Sequence, residues 1–190
     1  GQRPADAVKL SDTISTVVVS PPEPDVVVEQ PKALVQGQRF FEDITVGMEL
    51  KPVVKGPLTT THLVRWAAAN GNYARIHWDL PFAQLRQGLA NVVVNGSLKN
   101  QYLGQLAIDF AGEGGWFRRF FVEHRGMDYP GDVITARGIV TGVDEDDGFG
   151  HVECRVGLSN SRGEETASGR AVIVLPKRGQ TLPLIWGTQA

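Results

Sequence analysis

Cysteine is nearly absent from this chain, which has only Cys154 among its 190 residues. A lone cysteine excludes a disulfide within the chain. It falls in the alternating stretch "HVECRVGL", which is typical of a strand, so we expect a structural thiol rather than a nucleophile. None of the histidines pairs with another at ligand spacing, and we expect no metal site.

An excess of charge of one sign and a long apolar run are also missing. The formal net charge is −2, and no basic stripe is present, so nucleic acid is not an expected partner. No apolar run approaches the roughly 20 residues that cross a bilayer, and the first residues lack the basic-then-apolar pattern of a signal peptide. We therefore expect a cytoplasmic protein, without a membrane partner, that acts on small molecules or on other proteins.

Proline is plentiful in one place, the segment 1–38, where it alternates with valine triplets. Proline lacks an amide donor and fits badly inside a sheet or helix, so we predict an extended arm. The arm is either a partly disordered tail or a strap along this domain or a neighbouring subunit. Valine triplets are atypical of disordered sequence, which favours the strap. We predict one domain at 39–176, followed by a C-terminal tail at 177–190.

Helical patterns fill the first half of the domain. After a short predicted strand, "KPVVKGPL", a helix is predicted in "TTTHLVRWAAAN", whose threonines supply a cap. A second, short helix is predicted in "PFAQLRQGLA", with Pro81 at its first position. The longest helix is predicted within "NVVVNGSLKNQYLGQLAIDFAGEGG", which is apolar nearly all round and should therefore be buried.

The second half carries four alternating runs that are typical of strands. They are "GWFRRFFVEHRGMDYP", "DVITARGIVTGVDED", "GHVECRVGLSNSRG" and "EETASGRAVIVLP". Turn residues separate them, and strands that follow one another through tight turns are antiparallel. The fold predicted is α+β, with a curved antiparallel sheet wrapped around the long central helix.

The stretch "GNYARIHWD", from Gly71 to Asp79, places an amide, a histidine and a carboxylate close together. Histidine has an ordinary pKa of about 6.5 and exchanges protons near neutral pH. Taken alone, His77 is either a general base or a surface histidine that caps a helix. The carboxylate of Asp79 is expected to cap the next helix and is the nearest alternative base.

Four segments together carry a family resemblance. They are "RFFEDITVGMEL", "GNYARIHWD", "VVVNGSLKNQYLG" and "RGMDYPGDVITARGIVTGV". In this order and spacing they resemble the first strand, the signature Gly-Asp-x-Asn-Pro-(Ile/Leu)-His-x-Asp, the start of the central helix and a strand pair with a Pro-Gly-Asp turn in the MaoC-like hydratase/dehydratase family. That family is a branch of the hotdog fold, and the resemblance covers the chain from about Arg39 to Pro176.

The resemblance implies an (R)-specific enoyl-CoA hydratase or 3-hydroxyacyl-CoA dehydratase. Such enzymes add water to a trans-2-enoyl thioester or remove it from a 3-hydroxyacyl thioester. In the family the signature Asp and His hold one water and handle its proton, and the matching positions here are Asn72 and His77. A glycine amide at the helix start, here Gly96, donates to the enolate oxygen. Asn95 stands where the family often has His, and Ser97 could add a hydroxyl. No cofactor is implied beyond coenzyme A as part of the substrate.

Asn72 departs from the family pattern. An amide can hold a water molecule but cannot carry its proton, so His77 would act largely alone. Three interpretations stay open. The natural enzyme tolerates Asn72, or the natural chain has lost activity, or the residue is an introduced replacement of Asp that traps bound substrate.

The resemblance also implies a partner, because family members pair two hotdog domains into one continuous sheet. We expect a homodimer, or a heterodimer with a related hotdog subunit, in which the arm could strap across the joint. Two rival functions are an acyl-CoA thioesterase, as in other hotdog branches, and a non-catalytic subunit of a heteromeric hydratase. The acyl group depends on tunnel depth and ranges from a short fatty acyl chain to a steroid side chain.

Overall fold

The computed structural model of the protein describes residues 37–146, 148–180 and 182. The predicted arm lies outside these residues except for Gly37 and Gln38, and the boundaries at 39 and 176 stay a prediction. The helices and strands follow one another as β1 (Glu49–Lys55), α1 (Thr60–Asn70), α2 (Leu80–Gln87), α3 (Gly96–Ala111), β2 (Trp116–His124), β3 (Ile134–Asp146), β4 (Phe149–Asn160) and β5 (Glu165–Leu175).

The five strands form one curved antiparallel sheet in the order β1-β3-β4-β5-β2. The predicted α+β class, with a sheet around a long helix, is confirmed. The prediction of a strand pair joined by Pro130, Gly131 and Asp132 is wrong, because β2 pairs with β5 and not with β3. The turn does exist, since Asp132 donates its N–H to the Tyr129 carbonyl at 3.1 Å. The turn lies within the connection that runs from β2, at one edge of the sheet, to β3, near the opposite edge.

The segment "RFFEDITVGMEL" does not begin as a strand. It forms a short 3-10 helix, Phe41–Asp43, and extended structure starts only at Glu49. The Asp43 carboxylate accepts the N–H of Phe40 at 3.3 Å. This local bond gives the backbone an alternative to strand pairing, so the strand implied by the resemblance is wrong for the first part of this segment.

Helix α3 is the centre of the core. The residues it buries against the sheet are Leu98, Lys99, Tyr102, Leu103, Gly104, Leu106, Ala107, Phe110 and Ala111. The helix begins at Gly96, so Val94, which fits the helical spacing, in fact lies before it. Val94 is buried in an extended segment, and its N–H donates to the carbonyl of Asp128 at 2.8 Å. The observed start at Gly96 agrees with the position that the family resemblance implied for this glycine.

Caps fix the ends of α1 and α2. The Thr59 side chain accepts the His62 N–H at 3.4 Å, and the Asp79 carboxylate accepts the Phe82 N–H at 3.0 Å. Pro81 is the second residue of α2 rather than the first. Gly71 follows α1 at φ 63°, a left-handed conformation that favours glycine and turns the chain into the polar stretch.

Candidate active site

Asn72 shapes the loop in which it lies. Its Oδ1 accepts the N–H of Ala74 at 3.2 Å, and its own N–H donates to the Ala67 carbonyl at 3.0 Å. A side-chain oxygen that accepts a backbone N–H two residues on forms an Asx turn. The amide oxygen therefore takes part in the loop, whereas the NH₂ group has no hydrogen-bond partner among the described residues.

His77 ends a 3-10 helix, Arg75–His77, and is only 7% exposed. The alternative of a surface histidine that caps a helix is therefore wrong. Its Nδ1 lies 2.8 Å from the carbonyl oxygen of Val93. Because a carbonyl only accepts, Nδ1 carries the proton, and Nε2 of the neutral ring is left as an acceptor. The ring is thus held in the tautomer that a general base for water needs.

Val93 joins this histidine to the start of α3. It receives the His77 bond through its carbonyl and donates its own N–H to the Ile76 carbonyl at 3.0 Å. Gly96, the first residue of α3, follows three positions later. The structure thus ties His77 by hydrogen bonds to the short segment that leads into Gly96.

Gly96 presents an unused donor at the positive end of a long helix. The side chain of the N-cap residue, Asn95, makes no capping bond, and in the part of the chain that the structure describes the Gly96 N–H has no acceptor. A helix N-terminus with a free N–H stabilises negative charge on a nearby oxygen. The Gly96 N–H is therefore free to take the predicted role of oxyanion donor.

Asn95 and Ser97 flank Gly96 and face different surroundings. The carboxamide of Asn95 is fully buried, and neither of its polar atoms has a partner. The Ser97 hydroxyl accepts the indole N–H of Trp66 at 2.9 Å. Ser97 is thereby engaged in holding α1 against α3. The roles predicted for Asn95 and Ser97 in the site stay predictions.

His124, at the end of β2, lies directly against Gly96. A Cβ atom at position 96 would come 3.2 Å from Nε2 of this ring. Burial, and next the charge of Lys99, lower the pKa of His124, while Asp128 opposes the shift. A side chain at position 96 would therefore crowd the His124 imidazole, which gives this glycine a second role beside that of a backbone donor. No local pattern in the sequence signals the contact between His124 and Gly96.

Asp79 is occupied by structural bonds. Its carboxylate accepts from Arg75 at 2.6 Å as well as from the Phe82 N–H. The Phe82 bond, followed by the Arg75 bond, lowers the pKa of Asp79. A carboxylate held in its charged form by two donors is a weak base, so the structure supports Asp79 as a cap rather than as a substitute for Asp at position 72.

Metal and thiol chemistry find no support in the described residues. No group of His, Cys, Asp and Glu side chains among them has the arrangement of a metal site. Cys154 lies fully buried on β4, where burial raises the pKa of its thiol to about 12. Such a thiol is a poor nucleophile, which agrees with the structural role predicted for it.

Within the part of the chain that the structure describes, no helix has the length and apolarity to cross a membrane.

A concavity of about 620 Å³ lies over β1, β3, β4 and β5. Its charged lining comes from Glu49, Arg137, Arg155 and Glu165, and none of the predicted site residues contributes to it. The free N–H of Gly96 lies instead at the head of α3, outside this concavity.

Comparison with known proteins identifies the fold. Neither a protein-family model nor a curated protein matches the chain. The solved ChsH1–ChsH2 complex from Mycobacterium tuberculosis is similar at 20% identity and a TM-score of 0.61, over 69% of this chain and 98% of that chain. The (R)-hydratase from A. caviae involved in PHA biosynthesis is similar at 22% identity and a TM-score of 0.63, over 71% and 99%.

A third structure is the MaoC-like dehydratase from Rhodospirillum rubrum, similar at 17% identity and a TM-score of 0.64 over 75% of this chain and 99% of that chain. At these identities the likeness concerns the backbone. In this chain the backbone places helix α3 within a curved antiparallel sheet. The chain therefore has the hotdog fold found in MaoC-like dehydratases and (R)-hydratases.

Proposed function

We propose that this protein hydrates a trans-2-enoyl thioester, or catalyses the reverse dehydration of a 3-hydroxyacyl thioester. One observation carries the proposal. The bond from His77 to the Val93 carbonyl, 2.8 Å long, ties a buried histidine in its basic tautomer to the segment that leads into the free amide of Gly96. A base and an oxyanion donor are the two groups that addition of water to an enoyl thioester needs.

In the proposed reaction, Nε2 of His77 takes a proton from water as the water oxygen bonds to C3 of the substrate. The electron pair of the double bond moves toward the thioester carbonyl, whose oxygen becomes an enolate. The Gly96 N–H donates to that oxygen. The proton held by His77 then passes to C2, so that H and OH have been added and the imidazole is neutral again.

Asn72 would orient the water through its NH₂ group, because its oxygen is bound to the Ala74 N–H. An amide takes no proton at neutral pH, so His77 carries the proton in both directions. The reaction needs no cofactor beyond the coenzyme A that the substrate carries. A cytoplasmic enzyme built from two hotdog subunits is part of the same proposal.

A non-catalytic subunit of a heteromeric hydratase is the second candidate. The amide at position 72 favours this candidate, because an amide cannot carry the proton that a carboxylate at this position would carry. Among the similar solved structures, one is a complex of two different chains. In that case the partner subunit would supply the carboxylate.

Hydration of crotonyl-CoA by the purified chain tests these functions together. Loss of absorbance from the enoyl thioester, abolished by His77→Ala and retained by His62→Ala, would support the hydratase. The control is matched, because among the described residues the His62 ring is hydrogen-bonded to its cap residue, Thr59, and to no other residue. Release of free thiol without hydration would support a thioesterase. An inert chain that activates a related subunit would support the second candidate.

A further inference from the structure

Lys99 and Asp128 form a buried ion pair beneath the head of α3. Their Nζ and Oδ2 atoms are 2.8 Å apart, and the two side chains are 3% and 0% exposed. The Lys99 ammonium also donates to the carbonyls of Gly126, at 2.9 Å, and Thr166, at 3.0 Å. All three of its protons are therefore used.

The carboxylate oxygens of Asp128 also have hydrogen-bond donors. Its Oδ2 accepts the Thr166 hydroxyl at 2.8 Å, and its Oδ1 accepts the Asn160 amide at 3.1 Å. Stability alone does not account for such a pair, because well-packed apolar residues in place of a buried ion pair are often as stable or more stable. A pair of this kind can instead fix the arrangement of the elements that it joins.

The pair joins elements on both sides of Gly96. Lys99 lies in the first turn of α3, just after Gly96, and binds the Asp128 carboxylate. Val94 lies just before Gly96, and its N–H binds the Asp128 backbone carbonyl at 2.8 Å. A single residue, Asp128, thus holds the chain before and after the amide that we propose as the oxyanion donor.

The same segment holds the proposed base. The Val93 carbonyl, next to Val94, accepts the Nδ1–H of His77. A shift of the backbone at Val94 would therefore move the His77 ring as well as the Gly96 amide. Misplacement of reacting groups by about 1 Å can cost about 100-fold in rate.

We propose that Lys99 and Asp128 are positioning residues of this active site. They hold the Gly96 amide and the His77 ring in fixed positions relative to each other. The inference rests on the proposed hydratase function for its effect on rate. Its structural content, the placement of Val94 and His77, does not depend on turnover. The two parts can therefore be tested separately.

The test compares two neutralised ion pairs. Lys99→Met combined with Asp128→Asn removes both charges and leaves no unpaired charge in the interior, whereas either change alone would strand one. The control combines Lys177→Met with Glu145→Gln, which neutralises an ion pair between the chain after β5 and the end of β3. Urea unfolding establishes that each variant is folded.

For the Lys99→Met/Asp128→Asn variant we expect kcat on crotonyl-CoA to fall about 10- to 100-fold, with KM changed much less. The Val94 amide should exchange with solvent at least about 10-fold faster, and the ¹⁵N shifts of the His77 ring should move, because the Val94–Asp128 contact is loosened. The Lys177→Met/Glu145→Gln variant should match the wild type in every measurement.

A folded double variant with wild-type Val94 exchange and His77 shifts would overturn the proposal. A wild type without hydratase activity would count against the proposed function, and exchange and ring shifts would then decide the positioning role alone. If the double variant does not fold, Thr166→Val replaces it, because it removes one hydrogen bond to Asp128 and keeps the side-chain shape. Unchanged Val94 exchange and His77 shifts in Thr166→Val would likewise overturn the proposal, and faster exchange with moved shifts would support it.

Discussion

At the scale of a single residue, position 72 decides how the site handles protons. The Asn72 oxygen accepts the Ala74 N–H at 3.2 Å, and a carboxylate can accept the same bond, so Asn72→Asp should preserve the loop. The new carboxylate also accepts a proton and favours a charged His77. We expect hydration of crotonyl-CoA to become about 10²–10⁴-fold faster, measured as the initial loss of enoyl thioester absorbance.

The control for this prediction adds His77→Ala to Asn72→Asp, which should abolish the gain. A wild type as fast as the Asn72→Asp variant would contradict a mechanism in which position 72 and His77 share the proton. If the wild type and the Asn72→Asp variant are both inert alone and both become active with a second subunit, the result would instead support a non-catalytic subunit.

The imidazole of His124 makes the unfolding free energy depend on pH. Burial, with Lys99 as the second cause, holds its pKa below the ordinary value of 6.5. Below 6.5 the unfolded chain therefore binds protons more readily than the folded protein does, so stability is lost on acidification and is fully present above 6.5. His124→Gln should flatten this fall, measured by urea unfolding between about pH 5 and 8. An unchanged slope would show that another group causes it.

The residues of the site differ in how far the sequence could predict them. His77 and Gly96 lie in motifs, and the structure places both beside Val93 and Val94. His124 could not be predicted, because its contact with Gly96 depends on where β2 lies in the sheet. Lys99 did carry a signal. It shares a helix face with Tyr102 and other apolar residues, and a lysine there needs a buried partner.

At the scale of the element, helix α2 depends on its cap. Asp79→Ala removes the acceptor of the Phe82 N–H and should lower the free energy of unfolding by about 1 kcal/mol, whereas Asp79→Asn keeps an acceptor and should cost much less. Midpoints of urea unfolding measure both. Hydration should be unchanged in either variant. A folded Asp79→Asn variant without activity would show that Asp79 is the base.

Elements with strong local signals were predicted well, and those set by distant contacts were not. Helix α1 follows its threonine cap, and β4 and β5 follow their alternation. The strand expected at the beginning of "RFFEDITVGMEL" was wrongly predicted, because this segment forms a short 3-10 helix. The partner of β2 was also missed. A turn motif shows that the chain bends, while the choice of neighbouring strand is made by the burial of whole faces.

At the scale of the whole molecule, the sheet ends in an open edge. Among the described residues β2 pairs only with β5, and its Phe121 is 56% exposed. An unpaired edge beside an exposed aromatic ring is a liability for a lone domain. The position of β2 also matters for the site, because its last residue, His124, lies against Gly96. Pairing at this edge would bring the partner close to the head of α3.

We therefore expect a dimer through β2, with twice the chain mass of 20.7 kDa in sedimentation velocity. Antiparallel pairing about a twofold axis brings equivalent side chains near each other, so Phe121→Glu should place like charges together and give a monomer. Val143→Glu is the matched control, because Val143 is exposed but lies on β3, which is three strands away from β2 in the sheet. It should remain dimeric. A wild type that is monomeric at micromolar concentration and pairs only with a related subunit would assign this edge to a heterodimer. A monomer that pairs with neither would show that β2 is not an interface.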